Sequence, residues 1–225
     1  MNQFLTFAFI GGDLRQIRVI SRFAEEDYPI KTYGLETAGI PNGLPVRKCG
    51  TLDECLEHAD IVVLPLPYTS SGETIKTSFS ASEIYINDIL RKMSSSQLLF
   101  AGRADEQLKA LSGLYNVHLI DYAEREEMAI RNSIPTVEGA IEIAMAETPY
   151  TIHSSSCLVL GYGRIGRILA DTLKALGANT SVAARKHSDL AWIDAKRLTG
   201  IPFQNLSGNL SKFDLIFNTV PALVL

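Results

Sequence analysis

Cysteine is scarce in this chain: Cys49, Cys55 and Cys157 are odd in number and form no C-x-x-C pair. That excludes a disulfide framework and predicts buried or incidental thiols in a reducing cytoplasm. Histidine is equally thin, and His58, His118, His153 and His187 are scattered, so no metal site is expected. Basic charge is not in excess either. The 21 Lys and Arg against 25 Asp and Glu leave a net charge of −4, which argues against a nucleic-acid or anionic-membrane surface. No apolar run approaches the ~20 residues that a membrane helix needs. The opening "FLTFAFIGG" lacks a basic leader and a small-residue cleavage site, so it is expected to be a first core strand and not a signal peptide. Repeats and low-complexity tracts are also missing.

What is present is alternation. At 225 residues the chain can bury one large or two small cores. Apolar runs at Phe4–Ile10, Ile30–Gly34, Asp60–Leu66, Gln97–Gly102 and Val117–Tyr122 predict strands, with helices at Leu14–Glu26 and Ala104–Leu111 between them. Near-continuous apolar stretches such as Ile61–Leu66 suit parallel strands covered on both faces. The second half offers strands Cys157–Leu160, Thr180–Ala184 and Asp214–Val220, and helices Ile165–Leu176 and Asp189–Leu198. Between the halves, "NSIPTVEGAIEIAMAET" predicts a helix over Thr136–Glu147, started after Pro135, with Glu138 either capping it or polar in a cleft. The expected architecture is α/β with two parallel-sheet domains, residues 1–150 including that linking helix and residues 151–225, divided near 148–155.

"CLVLGYGRIGRILA" carries the sharpest signal. Gly161, Gly163 and Gly166 satisfy G-x-G-x-x-G between an apolar strand and an amphipathic helix, the context a dinucleotide site requires. Gly161 would allow the tight turn, Gly163 the approach of a pyrophosphate, and Gly166 the packing of helix on strand. Tyr162, Arg164 and Ile165 complete the turn, whose N–H groups and helix dipole favour phosphate. At the tip of the next strand, where NAD-selective folds carry Asp or Glu, this chain has Arg185 and Lys186. A guanidinium there can grip a 2′-phosphate through two hydrogen bonds, which predicts NADP(H) in preference to NADH; two solvated surface charges are the alternative. Asn218, Thr219, Val220 and Pro221 close a further strand and are candidates to line the same cleft, although a plain turn would look alike.

The first half also opens strand–Gly–Gly, but it lacks the third glycine and has Asp13, Arg15 and Gln16 instead. Those residues, and Pro65 in "LPLPYTSSGET", sit beyond strand ends where open α/β sheets bind ligands. Taken together, "IGGDLRQ", "VVLPLP", "EREEMAIRNSIPTVEGAIEIAM", "YTIHSS", "VLGYGRIGRILA", "VAAR" and "FNTVPALVL" resemble the dipicolinate synthase A-subunit family of spore-forming bacteria over essentially the whole chain.

The resemblance implies a flavodoxin-like N-terminal domain plus a Rossmann NAD(P)-binding domain, similar to D-2-hydroxyacid dehydrogenases. It implies synthesis of pyridine-2,6-dicarboxylate from a dihydro- or tetrahydrodipicolinate precursor during sporulation, together with a B subunit. A dicarboxylate needs cationic or N–H donors, for which Arg15 and Arg125 are candidates. Asn132, Ser133 and Thr136, where the chain passes between domains, are candidates for substrate positioning. The resemblance further implies that family members continue past "NTVPALVL", so a shortened chain is expected and the catalytic acid and base stay unassigned. A 2-hydroxyacid or alanine dehydrogenase and a non-catalytic NADP-binding partner are the alternatives kept open, and a homo-oligomer is a further state left open.

Overall fold

The computed structural model describes residues 5–41, 43–206, 208 and 210–221. The chain divides into two compact units, one ending at Arg125 and the other beginning at Glu126.

In the first unit, β1 (Phe7–Ile10), β2 (Ile30–Tyr33), β3 (Val46–Lys48), β4 (Ile61–Val63), β5 (Leu98–Ala101) and β6 (His118–Asp121) form one parallel sheet in the order β3-β2-β1-β4-β5-β6. Every side chain of β1 is buried. Its alternation divides the core: Phe7 and Phe9 face Ile17, Ile20 and Ala24 of α1 (Leu14–Glu25), whereas Ala8 and Ile10 join the opposite core. That second face is closed by α2 (Leu52–Leu56), α3 (Ile86–Lys92) and α4 (Glu106–Leu114). Leaving β3 aside, the order is the flavodoxin one; β3 extends it at the edge beyond β2. The short elements β3, α2 and α3 were not expected from the sequence, because three to seven residues hold too little periodicity. Of the expected strand Phe4–Ile10, Phe4 lies outside the described residues.

In the second unit, β7 (Ser156–Leu160), β8 (Asn179–Ala184), β9 (Thr199–Pro202) and β10 (Leu215–Asn218) form a parallel sheet in the order β10-β7-β8-β9. From the other edge this is the 3-2-1-4 half of a Rossmann sheet. Helix α5 (Glu126–Glu147) opens the unit, α6 (Arg164–Ala175) follows β7, and α7 (His187–Ala195) follows β8. Leu169, Ala170 and Leu173 of α6 pack on Cys157 and Val159, and the other face, Leu158 and Leu160, is covered by Leu206 with Phe203 and Phe213.

The structure corrects two expectations. Helix α5 neither starts at Thr136 nor is capped by Glu138; it passes through Pro135. The missing proline N–H removes one bond, and the Ser133 and Thr136 hydroxyls donate to Ala129 O and Asn132 O, both at 2.9 Å, as helical neighbours do. The domain boundary consequently lies at Arg125/Glu126 and not near residue 150. Val137, Ile141 and Ala144 are buried with Leu169 and Leu173, which makes α5 an integral layer of the second unit.

Candidate functional site

The turn after β7 separates its three glycines by role. Gly161 has φ +98°, and a Cβ on it would stand 2.6 Å from Val220 Cγ1 and 2.9 Å from Thr219 Oγ1. A Cβ on Gly166 would collide with the Gly161 carbonyl oxygen. The fold itself demands glycine at both. Gly163 differs: it caps α6 with φ −80°, ψ −162°, which any residue can adopt, and a Cβ there meets nothing within 4 Å. No side chain caps this helix start, so its first N–H groups have no side-chain capping partner. Protein geometry does not require glycine there; the close approach of a ligand would.

Beside the turn lies a cavity of about 370 Å³, whose wall includes Gly161, Tyr162, Gly163, Arg185 and Lys186. Thr219, Val220 and Pro221 close it from the end of β10. Thr219 Oγ1 donates to Leu160 O at 2.8 Å, and Val220 N donates to Asn218 Oδ1 at 3.0 Å, so the strand end is fixed by its own side chains. Arg164 and Ile165 do not line this wall: Arg164 pairs with Glu126 at 2.7 Å, and Ile165 packs on the core. Four wall residues were not among those expected from the sequence: Arg167, Ala184, Asp189 and Phe203. Arg167 stands one helical turn after Gly163, a spacing that could have revealed it.

The first unit builds a different crest, at the point where the sheet order reverses between β1 and β4. Asp13 caps α1 by accepting from Arg15 N at 3.0 Å. The Arg15 guanidinium donates to Asp13 Oδ2 at 2.8 Å and to Leu66 O at 2.6 Å, tying the loops after the two strands together. That guanidinium holds the Asp13 carboxyl below its ordinary range. Lys76, a further cation that no motif marks, stands 3.9 Å from Asp13. Gln16 is buried, with Nε2 3.4 Å from Val63 O, and Pro65 is buried as well. Tyr122 donates to Leu64 O at 3.1 Å, and burial pushes its hydroxyl up to about 12. The Gly11 and Gly12 N–H groups are consumed by Tyr33 O and Lys76 O, both at 2.9 Å. This first turn therefore offers a phosphate no such approach.

Among the remaining candidates, Arg125, Asn132 and Thr136 are exposed, and Ser133 is buried with its hydroxyl bonded inside α5. Among the described residues no group of three or more His, Cys, Asp and Glu could hold a metal, and no helix is long and apolar enough to cross a membrane.

Two parallel α/β sheets, one of them opening on a glycine turn, define the dehydrogenase-type fold. A D-isomer specific 2-hydroxyacid dehydrogenase from Lactobacillus delbrueckii ssp. bulgaricus, solved in an NAD-complexed form, shares this fold at 14% identity and a TM-score of 0.53, over 97% of this chain and 63% of that one. Residues 6–123 match the family of dipicolinate synthase A-subunit N-terminal domains. The A subunit of dipicolinate synthase from Bacillus subtilis (strain 168) is 34% identical over 223 residues, 98% of this chain and 74% of that protein. The crystal structure of the dipicolinate synthase A chain from Bacillus subtilis superposes with a TM-score of 0.88 over 100% of this chain and 76% of that one, at 34% identity. The chain belongs to the dipicolinate synthase A-subunit family.

Proposed function

We propose that this chain is the NADP(H)-binding oxidoreductase component of a dipicolinate synthase, acting in the cytoplasm during sporulation. The observation that carries the nucleotide half is Gly163: a glycine that the fold does not need, at an uncapped helix start, beside a cavity walled by Arg185 and Lys186. Those two cations favour a 2′-phosphorylated cofactor, Arg185 by a bidentate grip. The cofactor would supply the hydride donor or acceptor. The chain's own residues bind its phosphates, orient it and shape the cavity.

The substrate is a dihydro- or tetrahydrodipicolinate precursor of pyridine-2,6-dicarboxylate, and a small dicarboxylate calls for cations. Arg15, oriented by Asp13, and Lys76 supply them at the crest of the first sheet. Gln16 and Pro65 shape that crest, with Arg125 of the same unit as a further candidate contact. The Bacillus subtilis relative is named as one lettered component of its synthase, which supports a requirement for a partner B subunit.

Titration of the full chain with NADPH and NADH tests the cofactor: NADPH binds tighter, and NADH binding equally well overturns the NADP(H) reading. Mixing the chain with the B subunit, the precursor and either cofactor form tests the reaction by the appearance of dipicolinate. Arg15→Ala lowers that turnover with NADPH binding intact; unchanged turnover removes Arg15 from the substrate site.

A further inference from the structure

Two charged residues of the nucleotide cavity belong neither to the glycine motif nor to the strand tip. Asp189, in the first turn of α7, brings a carboxylate with a 22% exposed side chain into the wall that Arg185 and Lys186 also form. Such a group, left unpaired, accepts from a ribose 2′-hydroxyl and repels a 2′-phosphate. It is not unpaired. Arg167 Nη2 stands 3.4 Å from Asp189 Oδ1, Arg167 Nε donates to Tyr162 O at 3.0 Å, and the guanidinium carbon lies 5.1 Å from the Tyr162 ring centroid. Arg167 is thus positioned by the turn itself and, in the cavity wall, links α6 to α7.

We propose that the Arg167–Asp189 pair is the specificity switch of this cavity: Arg167 neutralises the Asp189 carboxylate and so admits a 2′-phosphorylated adenosine beside Arg185 and Lys186. The inference rests on the reading of the second unit as an NADP(H) site. It deepens that reading by naming the residues that decide between the two cofactors. At 3.4 Å the pair is too long for a strong charge-assisted hydrogen bond, so its contribution is charge cancellation more than a structural clamp.

Calorimetry on the full chain with adenosine 2′,5′-bisphosphate and with 5′-AMP isolates the 2′-phosphate. The unsubstituted protein prefers the bisphosphate. Arg167→Ala uncovers Asp189 and lowers bisphosphate affinity about tenfold or more while AMP affinity stays within about threefold, since like charges in one cavity repel. The double variant Arg167→Ala/Asp189→Asn regains the preference, and Asp189→Asn alone raises bisphosphate affinity. Equal loss of both ligands in Arg167→Ala, or a double variant as poor as the single one, overturns the switch. Circular dichroism checks that Arg167→Ala is folded; if it is not, unchanged bisphosphate affinity in Asp189→Asn overturns the switch independently. An unsubstituted protein that binds neither ligand overturns the nucleotide reading and the switch together. One that prefers the bisphosphate with no response to either substitution overturns the switch alone.

Discussion

At the scale of single residues, the two kinds of glycine in one turn predict opposite outcomes. Gly166→Ala forces a methyl into the Gly161 carbonyl and costs about 1–3 kcal/mol of stability. Gly163→Asp has room, caps α6 and adds negative charge at its positive end, so thermal stability holds or rises by about 0.5–1 kcal/mol. The same carboxylate would occupy the proposed phosphate position, and NADPH binding is expected to fall by about tenfold or more. A melting curve and a titration on one preparation check both. If Gly163→Asp binds NADPH as well as the unsubstituted chain, the phosphate is not held at this helix start.

Tyr122 gives a pH prediction. Burial raises its hydroxyl from 10.0 to about 12, so in the folded chain it binds a proton where the unfolded chain has lost it. The stability it contributes is complete below pH 10 and declines as pH rises from 10 to about 12. Tyr122→Phe flattens that decline in a denaturation series over alkaline pH; an unchanged slope assigns the decline to other groups. Cys157 is fully buried, and burial pushes its thiol up to about 11, so it resists alkylation at mildly alkaline pH until the second unit unfolds.

At the scale of elements, the long ones were legible and the short ones were not. Leu169 and Leu173 recur at helical spacing and fix α6, and the glycine turn fixes where it begins. The five residues of α2 and the three of β3 carry less than two periods of any pattern, so nothing in the sequence separates them from loop. Pro135 misled for a physical reason: proline is disfavoured inside a helix, yet α5 continues through it because Val137, Ile141 and Ala144 gain more by burial than one lost bond costs. Pro135→Ala therefore stabilises the second unit, by up to about 3 kcal/mol. A lower denaturation midpoint in that variant would show that the ring itself makes a contact worth more than the bond it removes.

The same limit governs the site. Gly161, Gly163, Arg185 and Lys186 were visible because a motif names their positions. Arg167 and Asp189 reach the cavity from the first turns of two helices, so only the fold brings them together. The carboxylate of this cavity stands at Asp189, past the strand tip where the dinucleotide motif places an acid, and the motif therefore does not point to it.

At the scale of the whole molecule, the boundary at Arg125/Glu126 makes α5 an internal layer of the second unit. Ile141 is 8% exposed and sits in the same core as Leu169 and Leu173. Ile141→Ala then costs the second unit about 2 kcal/mol or more. It leaves the first unit's core, built on Phe9, Ile10 and Leu99, untouched. Hydrogen exchange on the full chain resolves the two responses: amides of β7 and β8 lose protection while those of β1 and β4 do not. Had α5 belonged to the first unit, as a boundary near residue 150 requires, the losses would fall in β1 and β4 instead. The consequence for function is that a change in α5 reaches the glycine turn through packing alone, because Leu169 and Ala170 lie on the helix that Gly163 caps. Ile141→Ala is therefore expected to weaken NADPH binding in proportion to the protection lost at β7, and full affinity with β7 deprotected would disconnect the helix from the site.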